Sequence, residues 1–190
     1  MSYNLHGAWK GGWALNIHTL SSTPNSNGGY DSVRTEIGEA LFLLKYRDDY
    51  SQVKFLSEEL VKFLKTRMVL PYIDAIIPVP ASFQRDRQPV NEICETVGKA
   101  LSIDVVNDLI LKTKDTKQLK SIQDLKERQE AIKGAFQVTD NEKFKNKKVL
   151  IIDDLYRSGT TLNELTNVLY SQANVNNVYI VTLTKTRSNR

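Results

Sequence analysis

The chain has 190 residues, 41% hydrophobic and 25% charged, which fits one soluble globular domain and excludes collagen-like and wholly disordered classes. Lys and Arg number 26 against 22 Asp and Glu, a net charge of +4; this mild basic excess points to an anionic partner without naming it. With one cysteine, Cys94, and two histidines, His6 and His18, the chain makes neither an internal disulfide nor a zinc ribbon.

No apolar run approaches the ~20 residues of a membrane span. The first residues have neither the basic nor the apolar region of a signal peptide. The expected location is the cytoplasm, with no membrane partner.

Residues 12–20 alternate Trp13, Leu15 and Ile17 with Ala14, Asn16 and His18, the period of a strand with one buried face. Residues 21–31, rich in Ser, Asn and Gly, read as a loop with little to bury. A helix is expected over 35–46, capped by Thr35, with Glu36 and Glu39 at its positive end and Ile37, Leu41 and Leu44 on one face. A second is expected over 51–65, where Val53, Leu56, Leu60, Val61 and Leu64 keep helical spacing. Residues 75–80, Ala-Ile-Ile-Pro-Val-Pro, suit a strand buried on both faces. Residues 89–101 read as a helix with proline in its first turn, and 103–106 as another strand. Residues 112–133 are polar and charged, and read as a mobile loop followed by a short helix. Strands are expected over 135–138, 149–152 and 178–183, and a helix over 161–172. Alternation of this kind predicts an α/β fold, a mostly parallel twisted sheet flanked by helices in one domain over 1–190. Such sheets bind ligands beyond the carboxyl ends of their strands, which singles out the loops after Val79 and Ile152. The charge is uneven too. Residues 1–110 carry 11 basic and 13 acidic groups, residues 111–148 carry 11 and 6, and residues 149–190 carry 4 and 3.

Residues 149–161, Val-Leu-Ile-Ile-Asp-Asp-Leu-Tyr-Arg-Ser-Gly-Thr-Thr, carry the chemistry. A buried strand delivers two adjacent carboxylates to the sheet edge, and a hydroxyl-rich loop then opens a helix. Backbone N–H groups at that helix start, with its dipole, form an anion site. Ser158, Thr160 and Thr161 add hydroxyl donors, and Arg157 adds a permanent planar cation. Gly159 lets the backbone approach a ligand without a Cβ in the way. Asp153 and Asp154 repel the phosphate itself and suit sugar hydroxyls or Mg²⁺. The inferred ligand is a sugar phosphate.

This stretch resembles the phosphoribosyl pyrophosphate (PRPP) motif of the type I phosphoribosyltransferases: four apolar residues, two acids, and a loop ending in Ser/Thr-Gly-Thr-Thr. A second segment, residues 74–80 with Arg85, Arg87 and Asn91, resembles the competence-protein ComF group of that superfamily. So do residues 112–119, then Arg128 and Gly134-Ala135-Phe136, and Lys45-Tyr46. The likeness spans residues 33–185. Four departures stand out. The zinc ribbon frequent in that group is missing. Residues 88–92 are Gln-Pro-Val-Asn-Glu where the group has Arg-Gly-Phe-Asn-Gln, and Ala131 stands where an Asn is expected. Arg157 stands where purine-salvage relatives carry an acid that serves the base nitrogen. An arginine is no general base, which disfavours purine salvage of that kind.

The resemblance implies a phosphoribosyltransferase that moves the phosphoribosyl group of PRPP to a nitrogenous small-molecule acceptor and releases pyrophosphate. Its cofactor would be Mg²⁺, carried mainly by PRPP and in part by Asp153 and Asp154, with no zinc. Asp153 and Asp154 would hold the ribose hydroxyls. Leu155, Tyr156, Arg157, Ser158, Gly159, Thr160 and Thr161 would hold the 5-phosphate. Ala81, Ser82, Phe83, Gln84, Arg85 and Arg87 would hold the pyrophosphate. A mobile catalytic loop with Lys112, Lys114, Lys117 and Lys120 would close over the substrate. Residues 1–34, as a hood, would bring Trp13, His18 and Tyr30 to an acceptor pocket. A homodimer is usual for the family. Two alternatives stand beside the enzyme: a PRPP- or nucleotide-sensing module without turnover, and a DNA-uptake-associated protein by analogy with ComF. No aromatic–basic stacking surface or DNA-binding motif favours a nucleic-acid partner.

Overall fold

A computed structural model describes residues 2–81, 86–114, 122 and 124–187. In chain order the first half runs β1 (Tyr3–Asn4), β2 (Gly11–Ile17), β3 (Thr19–Pro24), β4 (Tyr30–Arg34), α1 (Glu36–Tyr46), α2 (Gln52–Leu64) and β5 (Ala75–Pro78). The second half runs α3 (Pro89–Leu101), β6 (Asp104–Val105), β7 (Ile110–Lys112), α4 (Leu125–Ile132), β8 (Phe136–Val138), β9 (Lys148–Tyr156), α5 (Thr160–Gln172) and β10 (Asn177–Lys185).

The main sheet has the order β1-β2-β10-β9-β5-β6. All its neighbours pair in parallel except β1 with β2. The apolar run at the heart of β9 shows why. Val149 and Ile151 pack into one core cluster with Leu162, Leu165 and Leu169 of α5. Leu150 and Ile152 pack into the other with Leu41 of α1, Leu60 of α2 and Ile93 of α3. A strand that meets helices on both faces needs apolar residues at every position. The fold is therefore α/β, a mostly parallel sheet between two helical layers.

Three local expectations change. The strand expected over 149–152 runs on to Tyr156, because its pairing with β10 continues through Asp153↔Thr182 and Leu155↔Thr184 to Tyr156↔Lys185. The strand expected over 12–20 breaks at His18 into β2 and β3. Residues 21–31, expected as a loop, form most of the antiparallel hairpin β3–β4, whose strands pair from Thr19↔Arg34 to Pro24↔Tyr30.

Helix α1 is stapled to the end of β2. Thr35 caps it by accepting from Gly38 N at 3.1 Å, and the same hydroxyl donates to Ile17 O at 2.7 Å. The contact is close enough that a Cβ on Gly38 would lie 2.1 Å from the His18 carbonyl oxygen.

Candidate active site

A cleft of about 430 Å³ opens where the carboxyl ends of β5 and β9 meet the amino ends of α3 and α5. Asp153, Asp154 and Leu155 line it from β9, and Arg157, Ser158, Gly159, Thr160 and Thr161 from the turn into α5. Ala81, Gln88 and Asn91 face it from the β5–α3 side. Lys45 and Tyr46 reach it from α1, and Arg128 from α4.

The two aspartates differ in their surroundings. Lys45 Nζ donates to Asp154 Oδ2 in an ion pair whose side chains are 28% and 14% exposed. Burial alone would lower the Lys45 ammonium. The charge and hydrogen bond of Asp154, joined by Asp153, outweigh it and hold Lys45 above the ordinary lysine value. Asp153 accepts from Asp154 N at 2.8 Å. Burial, then the neighbouring Asp154 charge, push its carboxyl up to about 7, against the smaller opposing pull of that hydrogen bond and of Lys45. Both carry hard oxygen donors of the kind Mg²⁺ takes, and together would hold it alongside the oxygens of a phosphate ligand. Among the described residues, no group of three or more His, Cys, Asp or Glu is gathered to hold a metal.

The turn after β9 is built around Gly159, which stands at φ +75° as the N-cap of α5. A Cβ there would lie 2.8 Å from the Tyr156 ring. The glycine is thus required by the backbone and by the ring beneath it, before any ligand is considered. Of the expected phosphate loop, Leu155 and Tyr156 form the end of β9 and also line the cleft, Tyr156 being buried with its ring edge-on to Trp9 at 6.4 Å. The remaining turn is polar. Ser158 Oγ lies 2.9 Å from Thr160 Oγ1. Arg157 is exposed and makes no hydrogen bond or ion pair among the described residues. Arg128 Nη1 donates to Ser158 Oγ at 3.3 Å and Nη2 donates to Ile122 O, while its Nε is buried without a partner.

Other expected residues stand elsewhere. Arg87, expected at a pyrophosphate, turns back onto α3. It donates from Nε and Nη2 to the Glu92 carboxylate at 2.6 and 2.5 Å, and its guanidinium lies 3.7 Å above the Tyr50 ring. Lys114, expected on a closing loop, donates to Lys133 O at 2.8 Å, at the carboxyl end of α4. Lys112 is half-buried in β7 and does not line the cleft. Ser82, Phe83, Gln84, Arg85, Lys117 and Lys120 lie outside the described residues. Trp13, expected at an acceptor pocket, stacks on Tyr179 at 6.4 Å and meets Phe63 of α2 edge-on at 6.2 Å, away from the cleft lining. Tyr30 is 69% exposed on the hairpin.

His18 is nearer. Its Nδ1 lies 3.3 Å from Thr184 Oγ1. The Thr184 hydroxyl proton goes to Asp154 O at 3.1 Å, so Nδ1–H of His18 is the donor in that pair. Burial first, then Arg34, Lys45 and Arg157, lower the imidazole below its ordinary value against the pull of Asp154. These surroundings bias the ring toward its neutral form.

Lys45 and Arg128 are the residues that chain spacing alone did not assign. Both occur in the segments that resemble the ComF group, and only the folded sheet brings them to one cleft. Among the described residues no helix is long and apolar enough to cross a membrane.

Known proteins resemble the chain in sequence and in fold. Competence protein F of Haemophilus influenzae is 31% identical over 102 residues, which cover 50% of this chain and 44% of that protein. The match thus spans less than half of that relative's length. Glutamine PRPP amidotransferase from B. subtilis, solved with ADP and GMP, shares the fold at a TM-score of 0.51 and 15% identity, over 85% of this chain and 35% of that one. Adenine phosphoribosyltransferase from Saccharomyces cerevisiae aligns at a TM-score of 0.49 and 14% identity, over 88% and 84%. The family model of the phosphoribosyl transferase domain matches residues 95–190, from the middle of α3 through the aspartate pair and the turn into α5. The chain belongs to the phosphoribosyl transferase domain family.

Proposed function

We propose that the protein binds PRPP in this cleft and transfers its phosphoribosyl group to a nitrogenous acceptor, releasing pyrophosphate. One juxtaposition carries the reading: adjacent carboxylates at the end of β9 share a cleft with the hydroxyl-rich turn that opens α5. Asp153 and Asp154 accept from the ribose hydroxyls, and Lys45 positions Asp154. Arg157, Ser158, Thr160 and the first N–H groups of α5 hold the 5-phosphate. With the sugar held at both ends, C1 is fixed for attack, which removes much of the entropic barrier. The bond from C1 to the pyrophosphate oxygen breaks, a bond from the acceptor nitrogen forms, and the acceptor's proton leaves. No protein nucleophile is needed. Asp153 and Asp154 would meet Mg²⁺ carried on PRPP, which would supply neutralising charge for the pyrophosphate.

One observation favours a second reading, a PRPP- or nucleotide-sensing module without turnover. Arg87 is held by Glu92 and Tyr50 and gives no cation to the cleft. Calorimetry with PRPP separates the outcomes. Mg²⁺-dependent binding that disappears in Asp153→Asn/Asp154→Asn is expected, and no binding by the wild type overturns both readings. Pyrophosphate release across a panel of nitrogenous acceptors then marks the enzyme, and its absence throughout marks the module.

A further inference from the structure

Among the described residues, no carboxylate neutralises the charge of Arg128. A guanidinium stays protonated at every accessible pH, and burying it unpaired is expensive. Yet its Nε is buried without a hydrogen-bond partner, and no carboxylate pairs with it among the described residues. Its two bonds go to neutral oxygens, Ile122 O and Ser158 Oγ. The second of these belongs to the turn that begins α5. That turn already offers the Thr160 hydroxyl, the amino end of a helix, and Arg157, itself without an ion pair among the described residues. Arg128 arrives from a different element and lines the same cleft. Two guanidinium groups without an ion pair among the described residues thus line one cleft beside a hydroxyl-rich helix start, and a planar fork suits phosphate oxygens.

The geometry points to Arg128 as a ligand-binding residue: with Arg157 it clamps a phosphate monoester dianion at the start of α5. This rests on the reading of the cleft as a sugar-phosphate site, and it adds a cation from α4 that lies outside the recognised motif. It also gives the Ser158 hydroxyl a second task, orienting the guanidinium as well as meeting the ligand.

Ribose 5-phosphate is the probe, since it carries the monoester without the pyrophosphate. In calorimetric titrations Arg128→Met is expected to bind it about tenfold or more weakly, and Arg128→Lys, which keeps the charge but loses the fork, a few-fold more weakly. Without ligand, Arg128→Met is expected to melt at or above the wild-type temperature, because a half-buried guanidinium with an unpartnered buried Nε has been removed. Wild-type affinity in Arg128→Met overturns the inference, and a lowered melting temperature beside it would make Arg128 a structural clip. If Arg128→Met does not fold, wild-type affinity in Arg128→Lys overturns it. If the wild type binds neither ribose 5-phosphate nor PRPP, the sugar-phosphate reading falls and this inference with it. If it binds both and the variants match it, this inference falls alone.

Discussion

Replacing Asp153 with Asn removes one negative charge from the cleft wall and keeps the oxygen that accepts from Asp154 N. In the wild type, burial and then Asp154 raise the Asp153 carboxyl from 3.8 to about 7. Between those values the folded protein keeps a proton that the unfolded chain releases. This contribution to stability is therefore complete below pH 3.8 and is lost as pH rises through about 7. At about 1.4 kcal/mol per pK unit, the whole shift corresponds to a ceiling of about 4 kcal/mol at alkaline pH. Some 1–2 kcal/mol of it is gone by pH 5, which leaves about 2–3 kcal/mol to be lost between pH 5 and pH 9. Water in the cleft screens the charge and makes this an upper bound. Urea unfolding of both proteins at pH 5 and pH 9 reads the difference directly. Asp153→Asn is expected to gain on the wild type by up to that amount across the interval, while losing affinity for PRPP. Parallel pH dependence in the two proteins, to within about 0.5 kcal/mol, would refute the idea that the fold holds Asp153 against its preference to ionise.

Gly159→Ala forces a side chain to φ +75° and into the Tyr156 ring. It is expected to destabilise by about 1–3 kcal/mol in thermal melts and to weaken ribose 5-phosphate binding, and a wild-type melt would contradict the packing argument. Glu92→Ala releases Arg87 from its bidentate partner. Pyrophosphate affinity by calorimetry should then rise a few-fold with the melting temperature unchanged; unchanged affinity would remove Arg87 from the pyrophosphate site. Trp13→Ala strips the stack on Tyr179 and the edge contact with Phe63. A loss of about 2–4 kcal/mol with unaltered ribose 5-phosphate affinity is expected, and weakened affinity in a folded variant would return Trp13 to the site.

Where burial sets the pattern, the chain is readable before folding. The core of β9 shows as a run without polar breaks, α3 as a proline start followed by helical spacing, and α1 by its Thr35 cap. The hairpin β3–β4 was hidden for the opposite reason. Its strand residues from Leu20 to Pro24 are exposed, so they are held by backbone pairing and leave no hydrophobic period to detect. The aspartate pair and the turn at 157–161 were legible because one strand–turn–helix unit carries them. The resting place of Arg87 was not legible, because Glu92, in the first turn of α3, binds it locally. Trp13 was misplaced because alternation assigns a residue to a sheet face without saying what covers that face. Arg128 and Lys45 reach the cleft from helices remote in sequence, and only tertiary packing brings them there.

The glycine at position 38 reaches further than its own helix turn. Because it has no side chain, α1 rests directly on the His18 carbonyl, and about two turns on the same rigid rod delivers Lys45 to Asp154. Ordinary van der Waals contact is about 3.5 Å, so any side chain at 38 would lift the helix start by more than about 1 Å. The helix then works as a lever with its fulcrum at the end of β2 and a charge at its far end. The pull of Lys45 on the Asp153 carboxyl thus depends partly on the fit between a helix and a peptide carbonyl outside the cleft lining. A screen for residues controlling this cleft by proximity alone would pass over that fit.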